Sequence, residues 1–179
     1  MLVYFPWSIS SAPIATDTSN GEGTVEERLK KIVRELKDDT NLFHLFEERE
    51  LEKIAPYFER AHYEAGEVIF NEGDDADFIG FVTSGHVEAK KETEFRGKQI
   101  VIAQMSKGSI LGELALFDGE PRSATVETLQ ETELLILRRS ALEAFISDYP
   151  GLGIKVLKGV SRVLSLRLRQ MAERLVVIF

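Results

Sequence analysis

Cysteine is absent from the 179 residues, which excludes disulfides, thiol nucleophiles, iron–sulfur clusters and thiolate zinc sites. Histidine is scarce. His44, His62 and His86 lie far apart, unlike the closely spaced histidines that hold a metal in barrel enzymes, and His44 falls in a predicted helix. No Ser/His/Asp arrangement for nucleophilic catalysis is evident, so no catalytic residue, metal or cofactor is expected. Basic residues are the minority: 22 Lys plus Arg against 30 Asp plus Glu give a formal net charge of -8. That balance works against nonspecific binding to nucleic acid or an anionic membrane, because such affinity comes mostly from neutralised phosphates. There is no apolar run of about 18 residues or more, and Met1 to Ala15 has no basic stretch, so neither a membrane span nor a signal peptide is expected. The chain reads as cytoplasmic, with 44% hydrophobic residues, enough for one full-sized domain plus extensions.

The texture changes three times along the chain. Residues 1–23 mix Pro6, Pro13 and many Ser/Thr without a period, which predicts a flexible tail carrying Tyr4, Phe5 and Trp7. Residues 24–57 are read as N-terminal helices. Val25, Leu29, Ile32, Val33 and Leu36 recur at helical spacing behind a Thr24/Glu27 capping box, and a second helical stretch runs from about Leu42 to Tyr57. Residues 58–138 carry short Val, Ile, Phe and Thr runs separated by glycine turns. Strands are predicted at Glu67 to Phe70, Phe78 to Val82, Val87 to Lys91, Gln99 to Met105, Ala124 to Leu129 and Glu133 to Leu137. Their spacing leaves no room for crossover helices, so an antiparallel jelly-roll-like structure is expected. Residues 139–179 return to the helical period, with one helix over Ala141 to Ser147 and another past Tyr149-Pro150 to about Leu175. In the last helix Leu157, Ser161, Leu164, Leu168, Met171, Leu175 and Ile178 form a heptad seam suited to a partner helix, while Val156, Val160 and Val163 face the chain's own body.

One segment concentrates polar chemistry: Gly112-Glu113-Leu114-Ala115-Leu116-Phe117-Asp118-Gly119-Glu120-Pro121-Arg122-Ser123-Ala124-Thr125-Val126. It opens with a glycine, has room for one short helical turn whose free N–H groups favour an anion, and returns to a strand past Arg122. A guanidinium presents paired donors that match two phosphate oxygens, and a carboxylate such as Glu113 accepts a hydrogen bond from a sugar hydroxyl. Together they suit a sugar phosphate. On spacing alone, an ion pair between Glu113 and Arg122 across a surface turn explains the two residues equally well.

This segment resembles the phosphate-binding cassette of the cyclic nucleotide-binding domain family, which runs Gly-Glu-Leu-Ala, a short variable stretch, then Pro-Arg, a small residue, Ala and a Thr or Ser. Ala65-Gly66-Glu67-Val68-Ile69-Phe70, Glu72-Gly73-Asp74 and Ser84-Gly85-His86-Val87 resemble the family's earlier turns, so the likeness covers about residues 40–175. It implies an α+β fold: an antiparallel β-roll (a double-stranded β-helix) flanked by N-terminal helices and a long C-terminal helix. The resemblance assigns Glu113 to the ribose 2′-hydroxyl and Arg122 to the cyclic phosphate, with Gly112, Leu114, Ala115 and Ser123 completing the phosphate cradle. It places Ala89, Ile102 and Ala103 on the wall facing sugar and base, positions that a barrel core explains as well.

The implied function is that of a non-catalytic sensor, binding cyclic AMP or cyclic GMP and moving its C-terminal helix in a homodimer. Ser123 favours cyclic AMP, since relatives that prefer cyclic GMP often have threonine there. The resemblance departs at the base. The bacterial catabolite activator contacts adenine through a threonine and a serine on its long helix, and a gapless count puts Arg167 and Leu168 at those places. Two alternatives stay open: a regulatory or dimerisation module that lost its ligand, and the effector part of a catabolite activator-like transcription regulator without its helix-turn-helix. Lys155, Lys158, Arg162, Arg167, Arg169 and Arg174 make the last helix basic, which reads as a solvated face, so no nucleic acid is expected on this chain.

Overall fold

The computed structural model describes residues 24–40, 42–94 and 97–176; at 25, 26, 28, 38, 115, 116 and 174–176 the backbone alone is described. The tail read at residues 1–23 and the seam residue Ile178 lie outside this set, as does the side chain of Leu175. Helix α1 (Val25–Asp39) starts at the expected capping box: Thr24 Oγ1 accepts from Glu27 N, and the Glu27 carboxylate accepts from Thr24 N. Helix α2 (Glu48–Ile54) and a 3-10 turn (Ala55–Tyr57) follow. Eight strands come next: β1 (Phe58–Tyr63), β2 (Val68–Phe70), β3 (Phe78–Ser84), β4 (His86–Glu92), β5 (Gln99–Ser106), β6 (Ile110–Leu111), β7 (Thr125–Thr128) and β8 (Thr132–Arg138), with α3 (Glu113–Asp118) between β6 and β7. Helices α4 (Arg139–Asp148) and α5 (Pro150–Val176) close the described chain.

All strand pairs are antiparallel, in two four-stranded sheets ordered β1-β8-β3-β6 and β2-β7-β4-β5. This is the α+β roll that the resemblance implied. The middle of the first sheet, β8 and β3, is buried on both faces, and β8 shows why its sequence is a continuous apolar run. Successive side chains alternate, so Leu134 and Ile136 point between the sheets, with Val82, Val87, Leu111 and Val126, while Leu135 and Leu137 join the second core beneath the helices. That second core holds Leu29, Val33 and Leu36 of α1, Leu51 and Ile54 of α2, Phe145 of α4, and Val156 and Val160 of α5.

Besides the two-residue strand β6, which no predicted strand covers, two elements differ from the expectation. The helix predicted from Leu42 begins only at Glu48, because Leu42, Phe43 and Phe46 form an irregular plug whose apolar spacing mimics a helix. Thr40 is extended at the end of α1, its Oγ1 accepting from Leu42 N, and α2 starts at its own Glu47/Glu50 capping box. Phe43 is fully buried and stacks on Phe81 at 5.5 Å between ring centroids, with Phe46 and Phe58 edge-on. Gly159 of α5 lies against this plug, and a Cβ there would collide with Leu42 O. The second difference is β1, read as part of no strand: its sequence FERAHY buries only Phe58 and Ala61. Charges tie it to β8, through Glu59 to Arg138, Arg60 to Glu133 and His62 Nδ1 to Glu133 Oε1 at 2.9 Å.

Phe43→Ala should destabilise the protein by about 3–5 kcal/mol, the usual cost of deleting a buried phenyl ring, read from urea unfolding midpoints. A pH effect follows from His62, whose hydrogen bonds to Glu133 and Glu64 raise its pKa in the folded chain. Its stabilising contribution should be complete below the unfolded value of about 6.5 and lost as pH rises through the higher folded value. Unfolding midpoints of wild type minus His62→Gln, measured across that range, should shrink with rising pH; a difference that grows would contradict it.

Candidate functional site

The roll brings the cassette into one corner. β6 enters it, Gly112 takes a left-handed turn at φ 71°, α3 runs from Glu113 to Asp118, and the chain returns through Pro121 and Arg122 to β7. The turn at Glu72-Gly73-Asp74 fixes the return: Gly73 N donates to Arg122 O and Arg122 N donates to Asp74 O, each at 2.8 Å. Glu72 N adds a bond to Thr125 Oγ1 at 3.0 Å. The motif noticed beside the cassette in sequence is thus the clamp that sets the arginine's backbone.

Arg122 points inward and is 2% exposed. Its guanidinium carbon lies 4.2 Å from the centre of the Phe70 ring and 4.6 Å from that of Phe78, so two aromatic faces pack on the cation. Nη1 donates to Gly112 O at 3.0 Å and Nη2 to Phe78 O at 2.8 Å. A Cβ at residue 112 would fall on Nη1, so the position requires glycine both for its backbone and for this approach. Nε is left over: among the described residues it is the buried side-chain nitrogen or oxygen without a hydrogen-bond partner. No carboxylate among them is within ion-pair distance of the group either. Burial pushes its pKa below the usual guanidinium value, and the more distant Asp77, Asp74 and Glu113 pull it back only in part. A buried cation with a donor to spare is costly unless an anion completes it.

Glu113 is 3% exposed, so the surface ion pair between Glu113 and Arg122 is not what the structure contains. Both side chains are buried, and the carboxylate is paired instead with Arg167 of α5. Arg167 thus stands at Glu113, while Leu168, its neighbour in the count from the cassette, is 69% exposed. Leu114 is 43% exposed, Ala115 contributes described backbone alone, and Ser123 is exposed, its carbonyl accepting from Lys91 Nζ at 2.8 Å. Ala89 and Ala103 are directly paired across β4 and β5; Ala89 is buried in the inner core and Ala103 packs on it. The ladder slips just there, with Lys90 opposite Val101, so Ile102, next to Ala103 in the chain, is the extra residue of a bulge and 42% exposed. The sequence assigns neither Phe70 nor Phe78 to the site, and it places Arg167 at the base rather than at Glu113. The first two looked like ordinary strand phenylalanines, and only the fold stacks them on Arg122.

Among the described residues, no group of three or more His, Asp or Glu is placed to hold a metal, and no helix is long and apolar enough to cross a membrane. Comparison with known proteins agrees with the geometry. The model of the cyclic nucleotide-binding domain family matches residues 60–149. The chain is 33% identical over 129 residues to the cyclic AMP receptor protein of Thermus thermophilus, covering 72% of this chain and 57% of that protein. It is 32% identical over 110 residues to lysophospholipase nte1 of Aspergillus terreus, covering 62% of this chain but only 7% of the lysophospholipase. A solved cyclic nucleotide-binding domain from Methylobacillus flagellatus superposes with a TM-score of 0.77 at 27% identity, over 88% of each chain. The match over half the chain, the roll and the cassette together place this protein in the cyclic nucleotide-binding domain family.

Proposed function

We propose that the protein is a sensor that binds a cyclic nucleotide, cyclic AMP in preference to cyclic GMP, and passes the event to α5 within a homodimer in the cytoplasm. The observation that carries this is Arg122: a buried guanidinium, packed between two rings, with no counter-charge at contact distance and Nε unsatisfied. A cyclic phosphate supplies the missing charge and an acceptor for the free donor, and it fits a corner already shaped by Gly112 and the Gly73/Asp74 clamp. Glu113, Leu114, Ala115 and Ser123 belong to the same corner as acceptor, backbone and hydroxyl groups, and the small pair Ala89 and Ala103 supports room for sugar and base. Ser123 and the likeness to a cyclic AMP receptor favour adenine over guanine. The role of Ile102 as a wall residue is carried less well, because it sits on the bulge.

The dimer rests on α5. Val156 and Val160 are buried in the chain's own core, while Ile154, Leu157, Leu168 and Met171 are exposed. These uncovered apolar side chains, interrupted at Leu164, which packs on the chain's own core, are suited to a second copy of the same helix.

Arg122→Ala should lower affinity for cyclic AMP by about 2–5 kcal/mol, the range for removing one member of a buried charge pair. Calorimetry giving equal affinities for both proteins would refute the role of Arg122, and no binding by wild type to either nucleotide would leave the ligand-free module as the reading. Leu168→Glu combined with Met171→Glu should convert a dimer into a monomer in sedimentation velocity, while far-UV circular dichroism stays unchanged. A wild-type protein that sediments as a monomer at micromolar concentration would remove the dimer from this proposal.

A further inference from the structure

Ser123 follows Arg122 in the cassette, and its polar atoms are unequally engaged. Its carbonyl accepts from Lys91 Nζ at 2.8 Å, whereas neither its N–H nor its hydroxyl has a partner among the described residues. The direction of that N–H is set. Gly73 N donates to Arg122 O at 2.8 Å, and across a trans peptide the N–H of the next residue points the opposite way, so Ser123 N–H faces away from the 72–74 turn. Two donors therefore stand free on the residue beside the buried guanidinium, while the acceptor is tied down.

The tie comes from β4. Lys91 Nζ also donates to Glu72 Oε1 at 2.9 Å, and Glu72 Oε2 accepts from Glu92 N at 3.0 Å, so one carboxylate grips both a side chain and the backbone at the end of β4. Glu72 N in turn donates to Thr125 Oγ1 at 3.0 Å. These bonds draw the turn after β2, the end of β4 and residues 122–125 into one frame. The Lys91 side chain is 48% exposed and its charge is matched by Glu72, so the pair adds little net charge to the corner and little to folding stability. What it does supply is the placement of Ser123. Lys91 belongs to none of the motifs that carry the family resemblance.

We infer that Lys91 is a positioning residue of the phosphate site: by holding Ser123 O, it keeps the Ser123 N–H and hydroxyl turned toward a cyclic phosphate seated on Arg122. The inference rests on the nucleotide reading of Arg122 in the proposed function. A cyclic phosphate has two exocyclic oxygens, which accept more hydrogen bonds than the free Arg122 donor alone supplies, and an amide and a hydroxyl next door provide the rest. Donors already held in place bind an anion at a lower ordering cost than donors on a loose segment. Ser123 is exposed and precedes β7, so without Lys91 its neighbourhood is held from the Glu72-Gly73-Asp74 turn alone.

The test compares wild type with Lys91→Met, Lys91→Arg and Glu72→Gln by calorimetry. The ligands are cyclic AMP and its two phosphorothioate diastereomers, each with sulfur in place of one exocyclic oxygen. Lys91→Met should bind cyclic AMP about fivefold more weakly than wild type, and Lys91→Arg, which can still donate to both acceptors, should stay within about twofold. The loss in Lys91→Met should persist with one diastereomer and nearly vanish with the other, whose sulfur faces Ser123 and is the poorer acceptor. Glu72→Gln leaves Lys91 cationic and keeps an oxygen able to accept from it, so its binding should be no tighter than that of wild type. Tighter binding in Glu72→Gln overturns the positioning role, because Lys91 then acts through its charge. Equal losses with both diastereomers overturn it too, since a generally loosened site behaves that way, and so does unchanged affinity in Lys91→Met. If wild type binds none of the three ligands, the nucleotide reading itself fails and takes the positioning role with it.

Discussion

A guanidinium withdrawn from water must be balanced by its surroundings, and much of this fold is arranged around doing so for Arg122. Phe70 and Phe78 offer ring faces, Gly112 and Phe78 offer carbonyl oxygens, and Gly73 and Asp74 hold the backbone that delivers the side chain. These groups come from the consecutive stretch β2, turn and β3 and from the β6–α3 corner some way along the chain, brought together by the two-sheet roll. The arrangement satisfies two of the guanidinium nitrogens and leaves Nε and the net charge uncompensated. Carbonyl dipoles and ring quadrupoles stabilise a cation less completely than an anion in contact does.

The second core joins the roll to the helices. The sheet β1-β8-β3-β6 has one face toward the inside of the roll and the other toward α1, α2, α4 and α5, so a single strand such as β8 packs on both cores. The first half of α5 is fixed to that body by Val156 and Val160, by the close approach of Gly159 to Leu42, and by Lys155 with Glu50 at 2.6 Å. Its second half crosses toward the cassette with little apolar contact. Stability is therefore unevenly distributed along one helix: rigid where it belongs to the core, and held by polar contacts where it meets the site. Elements that move on ligand binding are drawn from the weakly held end of such a distribution.

Charge plays different parts at different depths. Along β1 and β8, Glu59 pairs with Arg138 on one face of the sheet and Arg60 and His62 with Glu133 on the other, supplying strand pairing where apolar side chains are few, and water screens these partly exposed pairs. At the cassette, Glu113 and Arg122 are both nearly inaccessible, yet each is paired with something other than its opposite number. The ion pair across a turn, which spacing alone explained as well as a ligand site, does not form: ring faces and carbonyls surround Arg122, and Arg167 meets Glu113.

Much of this was legible in the chain itself. Alternating short runs between glycine turns indicated an antiparallel roll, the Thr24/Glu27 box marked the start of α1, and the cassette residues identified the family, because these signals are local and survive as patterns of neighbours. The Leu42–Phe46 plug was misread as helix because apolar residues at helical spacing look alike whether they wrap a helix or fill a core by irregular turns. Strand β1 was missed because its pairing is carried by charges, which leave no period of two in hydrophobicity. The sequence by itself determined the family and the segment, residues 112–126, in which the polar groups gather. Tertiary structure alone decided their company: the rings on Arg122, the bulge that leaves Ile102 unpaired beside Ala103, and the reach of Arg167 across 54 positions to Glu113. Those contacts depend on how distant segments are stacked in space, and no spacing along the chain encodes that.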